Sequence, residues 1–308
     1  MKPVLVTCYV NPDLDGVAGA VAYAEFLDKP ERSVVAGVIG DIHDEAKYVC
    51  DRFNIKRPMA IENADDFDVV ILVDSSDLIG LEGRIAPEKV IEIIDHRKIH
   101  QAEKFPNAKV QIEFVGAAAT LVAEKFMNNE IEISRESAEL VCAAIISNTL
   151  NFKGNVTTER DKTAFARLNG TARLPDGFWK ELFAAKSDLS GSKLIERLEG
   201  DFAWFEMGAK KVGIAQLEII GAKKLINERY EEILQSLEKI KTDINLDFIF
   251  LNLIELENAR NYFVTHEEGT KMLLEKVLSV RFAGNVAERP DVIMRKQIVP
   301  LLKAAFEG

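Results

Sequence analysis

The stretch Val4-Leu-Val-Thr-Cys-Tyr-Val-Asn-Pro-Asp-Leu-Asp-Gly16 is an apolar run that ends abruptly in two carboxylates. Between Pro3 and Pro12, the β-branched segment Val4 to Tyr9 is too short for a helix and reads as a fully buried strand. Asp13 and Asp15 follow at its C-terminal end, where open parallel sheets hold their ligands. Two acids separated by one residue on a turning segment can face one cation. Gly16 then opens Val17 to Leu27, whose small residues suit a helix pressed closely on a sheet. Taken alone, Pro12 to Gly16 reads equally well as a turn with Asp caps.

Working outward, the same format returns. Ser33 to Val38 predicts a strand and Asp44 to Phe53 a helix, so the chain alternates as a parallel α/β sheet does. Asp68-Val-Val-Ile-Leu-Val-Asp74 is a buried strand that empties into a carboxylate, and Val90-Ile-Glu-Ile-Ile94 runs into Asp95-His96-Arg97. Lys109 to Phe114 predicts a further strand, followed by Val115-Gly-Ala-Ala-Ala-Thr120 and a helix to about Phe126. Ser134 caps a helix through Ile146 that leads into Asn148, and Thr157 and Thr158 precede a charged helix carrying Asp161. The serine-rich, apolar-poor stretch from Ala184 to Lys193 reads as a linker. Beyond it come strands at Val212 to Ile219, Leu246 to Ile254 and Asn261 to Val264. Helices are expected at Ala222 to about Ile240, at Glu268 to Leu278 and after Pro300. The fold class is therefore α/β: a parallel-sheet first domain with helices on both faces, and a smaller α/β second domain.

At 308 residues, 47% of them apolar, the chain has enough material for two cores. Its net charge of −11 argues against a nucleic-acid surface. Cations that meet phosphate must then be concentrated locally. The three cysteines, Cys8, Cys50 and Cys142, have no paired spacing and support neither a disulfide framework nor a zinc ribbon. No apolar run approaches a membrane span and no N-terminal signal pattern is present, so a cytoplasmic protein without membrane partners is expected. Edge strands of the first domain offer a route to a homodimer.

If the sheet sets Asp13, Asp15, Asp74, Asp95 and His96 side by side, with Asn148 from a helix end, like charges must take up protons or share cations. Oxygen ligands with a single imidazole suit Mn²⁺ or Mg²⁺, one or two ions. Asp74 bridging two ions would activate water for attack on phosphorus. Arg97, Arg295 and Lys296 are the candidate phosphate-binding cations, Arg97 through its bidentate fork. Each Asp taken singly is more readily a cap, His96 a simple ion-pair partner, and Arg295 with Lys296 a solvated helix start. Three repeats of one format outweigh these separate readings.

In order, Asn11-Pro-Asp-Leu-Asp-Gly16, Asp74, Asp95-His-Arg97, Gly116-Ala-Ala-Ala-Thr120, Ile146-Ser-Asn-Thr-Leu150, Lys211-Val-Gly-Ile-Ala-Gln216 and Arg295-Lys-Gln-Ile-Val-Pro300 resemble the DHH phosphoesterases. The branch they resemble is that of manganese-dependent (family II) inorganic pyrophosphatases and prune-like polyphosphatases. The resemblance implies a DHH domain over residues 1–186, a linker at 187–193 and a DHH-associated C-terminal domain over 194–308, with substrate in the cleft between them and closure on binding. It implies metal ligation by Asp13, Asp15, Asp74 and His96. It also exposes departures: Tyr9 stands where the family has a histidine ligand, Asn148 where the pyrophosphatases have an aspartate, and Arg97 at the second histidine of the signature, as in prune-like members. Ala203 falls where they have a substrate lysine, and Met294 where an arginine is expected. With Asp13, Asp15 and Asp74 the only acids of the implied set, two-ion occupancy without substrate is weakened. The expected function is metal-dependent hydrolysis of pyrophosphate, short polyphosphate or a related small phosphoester. The alternative is an impaired homologue that binds a phosphorylated ligand or a protein without efficient turnover.

Overall fold

The computed structural model describes residues 3–98 and 100–307, and the chain divides into two compact units that meet between Ala185 and Lys186. The outer limits of the expected domains, residues 1 and 308, lie outside the described residues.

The first unit runs β1 (Val4–Thr7), α1 (Leu14–Leu27), β2 (Val34–Ile39), α2 (Asp44–Phe53), β3 (Met59–Ile61), β4 (Val69–Val73), β5 (Val90–Asp95) and β6 (Lys109–Ile112). Then come α3 (Ala118–Asn128), α4 (Arg135–Asn148), α5 (Glu159–Ala172) and α6 (Phe178–Lys186). All pairings in its six-stranded sheet are parallel, in the order β3-β2-β1-β4-β5-β6. The order reverses between β1 and β4, and such a switch point leaves a crevice at the C-terminal strand ends. Thr7 of β1 pairs with Leu72 of β4, so the loops that follow both strands leave the sheet as neighbours. One face of the sheet is covered by α1, with α3 and α4 packed on α1. The expected helices on both faces are reduced on the other side to two 3₁₀ turns, Pro87–Lys89 and Ala102–Lys104. There Phe67, Leu81, Ile85 and Phe105 from connecting segments cover Leu5, Leu72 and Ile93.

Two boundaries near β1 differ from the sequence reading. The strand stops at Thr7 rather than Tyr9, and α1 begins at Leu14 rather than after Gly16. The cause is Asp13, whose Oδ1 accepts from the N–H groups of Asp15 (2.8 Å) and Gly16 (3.2 Å) and starts the helix three residues early.

The second unit contains α7 (Lys193–Gly200), β7 (Phe202–Met207), β8 (Lys210–Ile219), α8 (Ala222–Ile244), β9 (Phe248–Glu255), β10 (Arg260–Val264), α9 (Glu268–Leu278), β11 (Phe282–Ala283), β12 (Val286–Arg289) and α10 (Arg295–Glu307). Its sheet order is β11-β12-β10-β9-β8-β7, with β8 and β9 parallel and the other pairs antiparallel. Apolar cores lie on both faces, one around Leu217, Leu237 and Leu251, the other around Phe250, Phe263 and Leu302. Within the second core side, Asn252 Nδ2 donates to Gln216 Oε1 (3.0 Å) and to the Ile293 carbonyl (3.1 Å), and Asn261 Nδ2 donates to Asn252 Oδ1 (2.5 Å) and to the same carbonyl (2.8 Å). Gln216 Oε1 also accepts the Arg295 N–H at 2.8 Å. The last helix was expected only after Pro300, but it starts at Arg295 and carries Pro300 inside it. Near a helix start the ring removes a single ladder bond, which one anchored first turn tolerates. Among the described residues no helix is long and apolar enough to cross a membrane. The three cysteines are buried and unpaired.

A Cβ placed on Gly19 of α1 would lie 2.4 Å from Val73 Cγ1 on β4. Gly19→Ala is therefore expected to push α1 off the sheet and lower stability by about 1–3 kcal/mol, read from the midpoint of urea denaturation.

Candidate metal centre

At the switch point the loops bring three side chains together. Asp15 lies in the first turn of α1, Asp74 directly follows β4, and His96 directly follows β5. One ligand atom from each lies within 4.8 Å of the others, and all three are buried. His96 Nε2 is 3.4 Å from Asp74 Oδ1 and 3.8 Å from Asp15 Oδ2.

The support around this trio is polar and specific. His96 Nδ1 lies 2.9 Å from the Val115 carbonyl oxygen, which can only accept, so Nδ1 carries a proton and Nε2 is the nitrogen turned toward the carboxylates. Asp15 accepts from the N–H groups of Ala118 (2.7 Å) and Ala119 (2.8 Å) and from Asn148 Nδ2 (2.7 Å). Ala117 at the N-cap of α3 makes no side-chain cap bond, and Asp15 supplies the missing acceptor from another element. Asp74 sits at φ 57°, a left-handed conformation that costs a non-glycine residue of order 1 kcal/mol and recurs at functional sites. Its N–H is held by the Ile94 carbonyl at 2.8 Å.

Burial raises the Asp15 carboxyl well above the ordinary carboxylate range, and the charge of Asp74 adds to the effect. Asp95 is raised in the same way, by burial first and Asp74 second. Two carboxylates and one imidazole nitrogen, crowded out of water, form the donor set of a hard divalent cation, and a divalent charge relieves the repulsion that raises these groups.

Comparison with known proteins agrees with this geometry. The DHH family N-terminal domain matches residues 3–145, and the DHHA2 domain matches residues 180–305. A Methanothrix thermoacetophila protein named manganese-dependent inorganic pyrophosphatase is 32% identical over 99% of this chain and 98% of its own length. The chain belongs to the family of manganese-dependent inorganic pyrophosphatases. A crystal structure from Methanococcus jannaschii, whose protein bears the provisional name of a family II inorganic pyrophosphatase, superposes with a TM-score of 0.81 at 31% identity, covering 99% of this chain and 100% of that one. An exopolyphosphatase-related protein from Bacteroides fragilis, 13% identical with a TM-score of 0.52 over 99% of this chain and 92% of that one, shares the fold.

Against the ligand set that the family resemblance implies, the structure distributes roles unevenly. Asp13 lies outside the converging group of Asp15, Asp74 and His96, and its Oδ1 caps α1. Asn148 turns its amide nitrogen toward Asp15 and donates. Asp95 accepts from Ser76 Oγ through Oδ2 and from the His96 (2.6 Å) and Arg97 (3.3 Å) N–H groups through Oδ1, so it shapes the turn that carries His96. In the second unit, Arg295 donates through Nη2 to Asp201 Oδ1 (2.6 Å) and through Nη1 to the Asp201 carbonyl (2.9 Å). Lys296 is exposed in the first turn of α10, and Ala203 lies on β7 opposite Ile214.

One contributor was not recognised in the sequence. Asp161, fully buried on α5, accepts the Gly116 N–H at 3.0 Å on both oxygens, the Thr120 hydroxyl at 2.6 Å and the Thr158 hydroxyl at 2.8 Å. It thereby clamps the segment that offers the Val115 carbonyl to His96 and the Ala118 and Ala119 N–H groups to Asp15. The spacing Thr158-x-x-Asp161 is a capping-box signal, and the box is present; its second duty had no local signature.

The pKa directions fix a sign for pH. Asp15 and Asp95 have folded values above their ordinary ones, so their contribution to stability is full below about pH 4 and is lost as pH rises through the raised values. Asp74→Asn removes the like charge that, after burial, does most to raise both carboxyls. The metal-free variant is expected to melt a few degrees above metal-free wild type at pH 7.5, with a shallower loss of stability between pH 5 and 7.5, and to gain nothing from added Mn²⁺.

Proposed function

We propose that this chain is a metal-dependent phosphohydrolase that cleaves pyrophosphate, with short polyphosphates and related small phosphoesters as the wider substrate class. The observation that carries the reading is the meeting of Asp15 from the first turn of α1, Asp74 from the end of β4 and His96 Nε2 from the end of β5 in one buried group. These residues would hold the divalent cation, Mn²⁺ in preference to Mg²⁺ because one ligand is an imidazole. When bound, such an ion polarises a phosphoryl oxygen and lowers the pKa of a coordinated water. The chain's own residues do the rest. Val115 keeps His96 in the tautomer that ligates, Asn148 and the first N–H groups of α3 hold Asp15 in place, and Asp95 fixes the turn between them. Asp13 contributes through α1, whose start sets the position of Asp15. Arg97 presents its positive charge at the rim toward phosphate oxygens, and Arg295 and Lys296, at a helix N-terminus, are the second unit's phosphate-binding candidates.

We assign residues 1–186 and 194–308 as the two domains, with 187–193 between them, and a cytoplasmic setting without nucleic-acid partners. Self-association through β6, an edge strand beside which Val110 and Phe114 are 44% and 50% exposed, fits a homodimer. A second reading, slow turnover with retained phosphate binding, is favoured by one observation: Asn148 and Tyr9 spend their polar groups on Asp15 and the Asp13 N–H and lend no charge to an ion.

Phosphate release from pyrophosphate in the presence of Mn²⁺ checks the main reading. Wild type is expected to exceed Asp74→Ala by about 10³-fold in kcat/KM, a loss of roughly 4 kcal/mol in transition-state stabilisation. Release no faster than in Asp74→Ala, with pyrophosphate still bound, would leave the second reading.

A further inference from the structure

Beside the converging trio the rim carries a second electronegative group, and a side chain of the chain itself occupies it. Arg97 Nη2 donates to the Asp74 carbonyl oxygen at 2.9 Å, Nη1 lies 3.5 Å from Asp77 Oδ2, and Nε lies 3.8 Å from Asp95 Oδ1. The guanidinium carbon stands 5.0 Å from the centroid of the Tyr9 ring, within range of a cation–π contact. Tyr9 is anchored in turn, because its hydroxyl accepts the Asp13 N–H at 3.0 Å at the start of α1. Arg97 is thus fixed at both ends, by the ring beneath it and by the oxygens around it.

We propose that Arg97, stacked on Tyr9, is a permanent cation filling the second anionic group of the rim, so that this centre takes one divalent ion per chain. The inference rests on the metal centre proposed above. A guanidinium stays protonated at every physiological pH, so it leaves this position only by moving bodily. The carboxylates it faces are also committed elsewhere: Asp95 accepts from Ser76 Oγ and from two backbone N–H groups, and Asp77 accepts the Ile79 N–H at 3.0 Å through its other oxygen, Oδ1. Among the described residues only Asp15, Asp74 and His96 gather ligand atoms for an ion. The consequence is a centre whose second positive charge does not depend on metal supply.

Mn²⁺ titration of the full-length chain by isothermal calorimetry, with native mass spectrometry for stoichiometry, tests this without any assay of turnover. Wild type is expected to bind one ion per chain. Arg97→Met is expected to bind a second ion, or to bind the first at least about tenfold more tightly, because a unit positive charge has been removed from beside a divalent one. Arg97→Lys keeps the charge and should keep one ion. A role confined to holding the turn predicts the opposite sign, since a loosened Asp74 weakens binding. Two ions in wild type, or unchanged or weaker binding in a folded Arg97→Met, overturns the proposal while leaving the metal centre intact. No ion bound by wild type overturns the metal centre and this inference with it. Melting curves establish folding of each variant, and if Arg97→Met does not fold, the wild-type stoichiometry decides.

Discussion

Like charges driven out of water into one small volume are the constraint around which the first unit is arranged. A parallel sheet with the order β3-β2-β1-β4-β5-β6 has a point at which successive connections diverge, and the start of α1, the turn after β4 and the end of β5 bring Asp15, Asp74 and Asp95 to that rim. Burial pushes the Asp15 and Asp95 carboxyls up, toward the protonated form. Backbone N–H donors from α3, an imidazole and a guanidinium all face them, so the fold spends much of its hydrogen-bonding capacity on keeping the rim anionic.

The segment from Val115 to Thr120 is the common support of that arrangement. It gives an acceptor to His96 and two donors to Asp15, and it is itself held by Asp161 from α5. Gly116 has no substitute there: a Cβ would stand 2.6 Å from Thr149 Cγ2 and 3.0 Å from Asp161 Oδ2. Two members of the buried group, one from α1 and one from the end of β5, are therefore referred to one short stretch of backbone. Ligand orientation through backbone groups is insensitive to side-chain motion, which suits a centre that must present the same geometry before and after an ion arrives.

Much of this was legible in the sequence, for a physical reason. A strand buried on both faces reads as a continuous apolar run, and a carboxylate that ends such a run cannot be ordinary surface, so β1, β4 and β5 announced both the sheet and the rim. What was not legible lay in relations of another kind. Asp13 and Asp15 look equivalent as residues, and only the helix start at Leu14 makes one the cap of α1 and sets the other in the buried group with Asp74 and His96. The donation from Asn148 to Asp15 depends on an amide orientation that spacing does not encode. Arg295 reads as a free cation until β7 brings Asp201 to it. The strands β3, β11 and β12, of two to four residues each, are too short for periodicity to register.

The amide cluster of the second unit has a consequence for fidelity of assembly. Gln216, Asn252 and Asn261 come from three neighbouring strands; Asn252 and Asn261 share the Ile293 carbonyl, and Asn252 also donates to Gln216. Sliding β9 by a single residue would carry Asn252 to the opposite side, among leucines, and strand three amides in hydrocarbon. Apolar side chains forgive such slippage because they resemble one another; these amides do not. They act as a keyway, and the turn bearing Arg295 and Lys296 is cut to the same key through Gln216.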